Sequence, residues 1–101
     1  MTWSVRFVGQ AKQFLKKGSR YLSQEVLDMM KSLYYDLEKT GPGQPNWPGY
    51  GKLKNQGKGV DKRHCHLIKG KPTYVACWEV KDPENKLLEV YYVGTHEKAP
   101  Y

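Results

Sequence analysis

Cysteine is scarce in this 101-residue chain: Cys65 and Cys77 are the only two, and they form no C-x-x-C pair. Two thiols are too few to staple a fold of this size, so a disulfide framework is excluded and both are expected reduced, in packing roles. Long apolar runs are missing as well. With a mean hydropathy of -0.79, nothing approaches the ~18 consecutive apolar residues that a membrane helix needs, and no secretory leader is visible. A soluble, cytoplasmic protein without a membrane partner is the expectation. Acidic residues are the third shortage: ten Asp and Glu face seventeen Lys and Arg, a formal charge of +7. Such a field draws in polyanions, with nucleic acid the default partner. At 13% aromatic residues the chain is too rich in ring side chains for a disordered basic tail. It is read as one domain, 1–101, with no internal repeat.

The periodicity gives a coarse order of elements. Trp3, Val5 and Phe7 alternate with Ser4, Arg6 and Val8 as in a strand buried on one face. Ala11, Phe14 and Leu15 follow helical spacing, and a short basic helix is expected to end near Gly18. Ser23 caps a second helix whose apolar residues Val26, Met30, Leu33 and Leu37 recur at intervals of four, three and four. It ends at Thr40-Gly41-Pro42. Residues 41–51 hold four glycines and three prolines around Trp47 and Tyr50, the composition of a loop pinned by aromatic anchors. Alternating segments follow at Tyr50 to Leu53, Arg63 to Lys69, Thr73 to Val80 and Leu87 to Val93, with connections short enough for hairpins. The sum is an α+β domain: a strand, a helical hairpin, then a mainly antiparallel sheet of three to four strands under the helix pair.

Two features carry chemistry. Between residues 52 and 71 the cations Lys52, Lys54, Lys58, Lys62, Arg63, Lys69 and Lys71 stand against the single acid Asp61. That excess reads either as a phosphate-binding surface or as lysines blunting an exposed sheet edge. The second feature is the set of three histidines. If residues 63–69 and 73–80 pair, Cys65 and Leu67 share a core face with Tyr74, Ala76 and Trp78, and His64 and His66 stand on the other face with Val75, Cys77 and Glu79. His96 follows the last strand. A zinc site from His64, His66, Cys77 and His96 matches no short metal spacing, so no metal or other cofactor is expected. Imidazole suits metal-free cleavage of RNA, whose 2′-hydroxyl supplies the nucleophile, because one ring takes a proton near neutrality while another group gives one. Glu79 is a further candidate base.

The segments RHCHL (63–67), TYVACWEV (73–80) and LLEVYYVGTHEKAPY (87–101), in this order of elements, resemble the RelE-like mRNA interferases of the RelE/ParE toxin superfamily. The resemblance implies a curved, mainly antiparallel sheet, metal-free and ribosome-dependent cleavage of mRNA in the decoding site, and a cognate antitoxin protein as partner. It maps proton transfer onto His96, proton transfer or phosphate contact onto His64 and His66, and base stacking or orientation onto Tyr101. Thr95 belongs to the matching Gly94-Thr95-His96 element, and Lys52 and Lys54 to the substrate-binding cations. Where the family has an arginine after Tyr74 this chain has Val75, and Arg63, Lys69 and Lys71 are the candidate replacements. That departure keeps open a non-catalytic member of the superfamily, a ParE-like topoisomerase inhibitor or an RNA-binding module.

Overall fold

The structure, a computed structural model, describes residues 2–21, 23–54, 56–70 and 72–101, and of residues 18–21 the backbone alone. The elements are β1 (Ser4–Phe7), α1 (Gly9–Tyr21), α2 (Gln24–Thr40), β2 (Gly51–Lys52), β3 (Lys62–Ile68), β4 (Tyr74–Asp82) and β5 (Leu87–Thr95), followed by a single 3-10 turn at His96–Lys98. Among the described residues these strands form one five-stranded sheet in the order β1-β5-β4-β3-β2. The sheet is mainly antiparallel. Only β1 runs parallel, beside β5, and its joining the same sheet raises the strand number above the three to four expected.

Helix α2 forms where its apolar stripe and its caps agree. Ser23 accepts the Val26 N–H at its N-terminus, and Gly41, at a φ of 82°, ends it while donating its N–H to the Leu37 carbonyl at 2.9 Å. Val26, Met30, Leu33 and Leu37 are all buried, each contributing roughly 1.5–3 kcal/mol relative to exposure. Helix α1 departs from expectation by running through Gly18 to Tyr21. A lone glycine costs a helix only about 1 kcal/mol, less than the burial of the Ala11, Phe14 and Leu15 face stabilises it. Both helices cover the sheet face of Cys65, Leu67, Ala76, Trp78, Leu88, Val90 and Val93, of which Cys65, Leu67, Ala76 and Trp78 are on the face assigned from alternation. The loop after α2 is pinned by Trp47, whose indole N–H donates to Asp36 at 2.8 Å, and by the Trp78 indole, which donates to the Pro42 carbonyl at 3.1 Å.

The opposite sheet face carries a smaller apolar floor of Val75, Cys77 and Tyr92, with Tyr91 and Ala99 packed on it. Register shifts between Cys77 and Trp78 against β5, and Trp78 pairs with Val90 whereas Cys77 pairs with Tyr92. The extra residue, Tyr91, is a bulge that lets two consecutive tyrosines serve one face.

One side chain fastens the end of β5. Gln10 donates its amide to the Val93 carbonyl and accepts the Val93 N–H, both at 3.0 Å, beyond the point where β1 stops pairing. Replacing Gln10 by Ala orphans both backbone groups and is expected to lower the unfolding free energy by roughly 1–3 kcal/mol. Urea unfolding measures this, with amide exchange at Val93 accelerated; an unchanged midpoint would contradict the clamp.

Candidate active site

The two histidines of β3 project from the face opposite the helices because strand side chains alternate and Cys65 between them is fully buried. Across the sheet His64 stands beside Cys77 and then Tyr92, and His66 beside Val75 and then Gly94. The floor under both imidazoles is therefore apolar. Val75, at the position where an arginine was the expectation, is part of that floor and fully buried.

The segment after β5 supplies the remaining rings. His96 begins the 3-10 turn and donates its backbone N–H to the Thr73 carbonyl at 2.8 Å. Ala99 then packs on the floor, and Tyr101 arrives over β3. Four rings meet there: His64 stacks on Tyr101 with centroids 4.8 Å apart, and His96 stands edge-on to both His66 and Tyr101 at 5.8 Å. The three histidines and Tyr101, which the resemblance singled out for chemistry, are thus neighbours.

The loop holds the cluster from the other side. Pro48 accepts the His66 backbone N–H at 2.7 Å, and Gly51 pairs with His64, so the loop lies along the free edge of β3. At Gly49, where φ is 65°, a Cβ would sit 2.7 Å from the His66 ring, and at Gly51 it would lie 3.8 Å from His64. Only a bare backbone fits against His66. Sequence reading passed over both glycines, although their two-residue spacing matches that of the two histidines. Gly94 has a similar duty, since a Cβ there would come within 2.7 Å of the Tyr92 hydroxyl, itself bonded to the Thr95 carbonyl at 2.7 Å. Thr95 is thus tied to Tyr92 through its backbone carbonyl.

Nδ1 of His64 and Nδ1 of His66 are buried without a hydrogen-bond partner. Packing, not hydrogen bonding at Nδ1, orients these rings. Burial pushes both imidazoles below their ordinary value of 6.5; His66 and His96 add to this at His64, and His96 and Lys69 at His66. Both are neutral at physiological pH. Burial pushes the Tyr101 phenol and the Cys77 thiol up to about 12, so each stays protonated. Among the described residues no group of three or more His, Cys, Asp and Glu is arranged to hold a metal ion.

The cations divide. Lys52 and Lys54 line a groove of about 440 Å³ with Leu53, His64 and Tyr101. Lys69 is exposed just past β3, and Lys71 lies outside the described residues. Arg63 is not brought to the cluster. It shares the buried face with Cys65 and Trp78, where its guanidinium binds both carboxylate oxygens of Asp61 at 2.9 Å and the Tyr50 hydroxyl at 2.9 Å. That pairing holds the Asp61 carboxyl below its ordinary range and leaves Arg63 a structural cation. Glu79 is on the histidine face and pairs with Lys81 at 3.4 Å. A second groove, of about 520 Å³, opens at the other end of the cluster between His66, Gly70, Pro72, Thr73, His96 and Glu97.

No protein-family model matches this sequence, and a search of curated proteins found no match either. Among solved structures, the chain superposes on one from the crystal structure of the E. coli DinJ-YafQ toxin-antitoxin complex, with a TM-score of 0.70 and 20% identity over 100% of both chains. The shared feature at that identity is the fold, and the architecture is RelE-like, as the resemblance implied. No helix among the described residues is long and apolar enough to cross a membrane.

Gly49→Ala should displace the His66 ring and destabilise the fold by about 1–3 kcal/mol, since it adds both a clash and strain at positive φ. A histidine imidazole spectrum unchanged by the substitution would contradict the packing described. The depressed imidazoles also set a pH dependence. Because their folded values lie below the unfolded value of about 6.5, the unfolded chain binds protons first, and stability falls as pH drops through that value. Melting at pH 7.5 and 5.5 should show a loss that is smaller in His64→Asn and His66→Asn proteins; equal losses would refute the assignment.

Proposed function

We propose that the chain is the toxin of a type II toxin-antitoxin system, a cytoplasmic endoribonuclease that cuts mRNA in the ribosomal decoding site and is neutralised by a cognate antitoxin. The observation that carries this reading is the meeting of three imidazoles and Tyr101, contributed by β3 and the segment after β5, on an apolar floor in a basic protein. The fold shared with a chain of a toxin-antitoxin complex supports the same assignment.

The chemistry follows from the environments of the rings. His66, neutral and facing the groove, takes the proton of a ribose 2′-hydroxyl as that oxygen bonds to the adjoining phosphorus. His96, exposed at the groove's edge, gives a proton to the 5′-oxygen as the P–O5′ bond breaks. A cyclic phosphate and a 5′-hydroxyl are left. His64 contacts the phosphate, Tyr101 stacks beneath a base, and Lys52, Lys54 and Lys69 supply the positive field that an incoming phosphate needs. RNA brings its own nucleophile, so the residues need only position it and move protons.

A second reading has its own support: with Val75 buried and Arg63 held by Asp61, no arginine among the described residues stands at the cluster. On that reading the chain binds RNA or a topoisomerase without catalysis. Mapping new 5′ ends on one mRNA in a translating bacterial extract separates the two. Cleavage in register with the reading frame, absent without ribosomes and reduced about 100- to 10,000-fold in His96→Ala, is the expected result. Intact RNA with folded protein would favour the binder, and full activity of His96→Ala would remove the role given to that histidine.

A further inference from the structure

Tyr50 lies between the two glycines that face the β3 imidazoles: Gly49, where a Cβ would sit 2.7 Å from the His66 ring, and Gly51, which pairs with His64. Its own side chain goes to the helix side of the sheet. There the ring stacks on fully buried Trp78, with centroids 6.2 Å apart, and the hydroxyl accepts from Arg63 Nη1 at 2.9 Å. The guanidinium is fixed in turn by Asp61, which takes Nε and Nη2 on separate oxygens, each at 2.9 Å. A planar cation held in that fork has little freedom to swing. Asp61 is anchored as well, its carbonyl accepting the Val80 N–H of β4 at 2.9 Å.

The loop therefore meets β3 at three points. Pro48 takes the His66 N–H, Gly51 pairs with His64, and between them Tyr50 reaches Arg63, the residue before His64. A ladder as short as Gly51–Lys52 is marginal without packing behind it, and the Tyr50 side chain supplies that packing. We propose that the Asp61–Arg63–Tyr50 chain positions His66 for its proton transfer, by drawing the loop onto the sheet edge so that the Gly49 backbone holds the imidazole at one angle. The inference rests on the RNA-cleavage reading. Arg63 and Tyr50 lie on the helix side, away from the cluster, so they act through the loop and are positioning residues. Without the Tyr50 hydroxyl the loop lifts and water reaches the His66 ring. Among the described residues, the titratable groups around that ring are His64 on its own strand, Lys69 just past it, and His96 and Glu97 from the turn. Val75 beside it in the sheet and Gly49 against it carry no charge. Admitting water removes burial, the largest cause of the depressed imidazole, while those groups stay, so His66 moves up toward 6.5.

The test uses the full chain. Tyr50→Phe keeps the ring on Trp78 and removes only the hydroxyl; histidine NMR titration should then place His66 higher than in the wild type. Arg63→Lys keeps a cation for Asp61 and loses the fork, so it should give the same change, and the double variant no more than either single one, since both cut one chain. Val26→Ala, at a buried position about 20 Å along α2 from the loop, controls for stability lost elsewhere and should leave the titration where it was. On purified ribosome–mRNA complexes Tyr50→Phe should slow single-turnover cleavage about tenfold, with the half-saturating concentration within about twofold of wild type. An unchanged His66 titration in Tyr50→Phe, an equal shift in Val26→Ala, or a shifted titration with an unaltered rate would overturn the inference while leaving the cleavage reading intact. Wild-type protein that makes no cuts would overturn the cleavage reading, and the inference with it.

Discussion

The contact between the His66 ring and the bare backbone at Gly49 is the constraint on which the site depends. A strand at a sheet edge ordinarily exposes its side chains and its hydrogen-bonding groups to water. Here the loop 48–51 occupies that edge, with Pro48 taking the His66 N–H and Gly51 pairing with His64. The same few residues thus close the edge, desolvate two imidazoles and fix one of them against a backbone with no room for a Cβ. Trp47, one residue before Pro48, ties this loop to α2 through Asp36. The helix layer on one face of the sheet is in this way mechanically linked to the chemistry on the other.

The remaining rings depend on how β5 ends. Gln10 clamps Val93, the Tyr92 hydroxyl binds the Thr95 carbonyl, and Gly94 leaves space for that phenol. From this fixed point the chain turns across the sheet, laying Ala99 on the floor and Tyr101 on His64. The His64 and His66 rings are oriented by packing, so small changes in the loop or in this segment are felt as changes in imidazole geometry and charge. The apolar floor has a further effect. By keeping His64 and His66 neutral near physiological pH, it makes them proton acceptors rather than fixed cations.

Much of this was legible in the sequence where periodicity governs. The parity of β3 and β4 placed His64 and His66 on one face and Cys65 and Trp78 on the other, and the α2 stripe was readable from Val26 to Leu37. That same parity puts Arg63 with Cys65, which is why it serves Asp61 and Tyr50 instead of a phosphate. Less legible was whatever periodicity does not encode. The Gln10 clamp joins residues 83 positions apart, the Tyr91 bulge breaks the alternation, and the duties of Gly49 and Gly94 arise from neighbours brought in by the fold.

The central claim is that paired imidazoles cleave RNA by moving protons, with the RNA's own 2′-oxygen as nucleophile. Its most direct test is the chemistry of the new ends, read on an mRNA carrying a single 2′-deoxynucleotide at an otherwise efficient cut site. The account predicts a 2′,3′-cyclic phosphate and a 5′-hydroxyl at normal sites, and no cut at the deoxy position. A 5′-phosphate with a 3′-hydroxyl, or undiminished cutting at the deoxynucleotide, would contradict it.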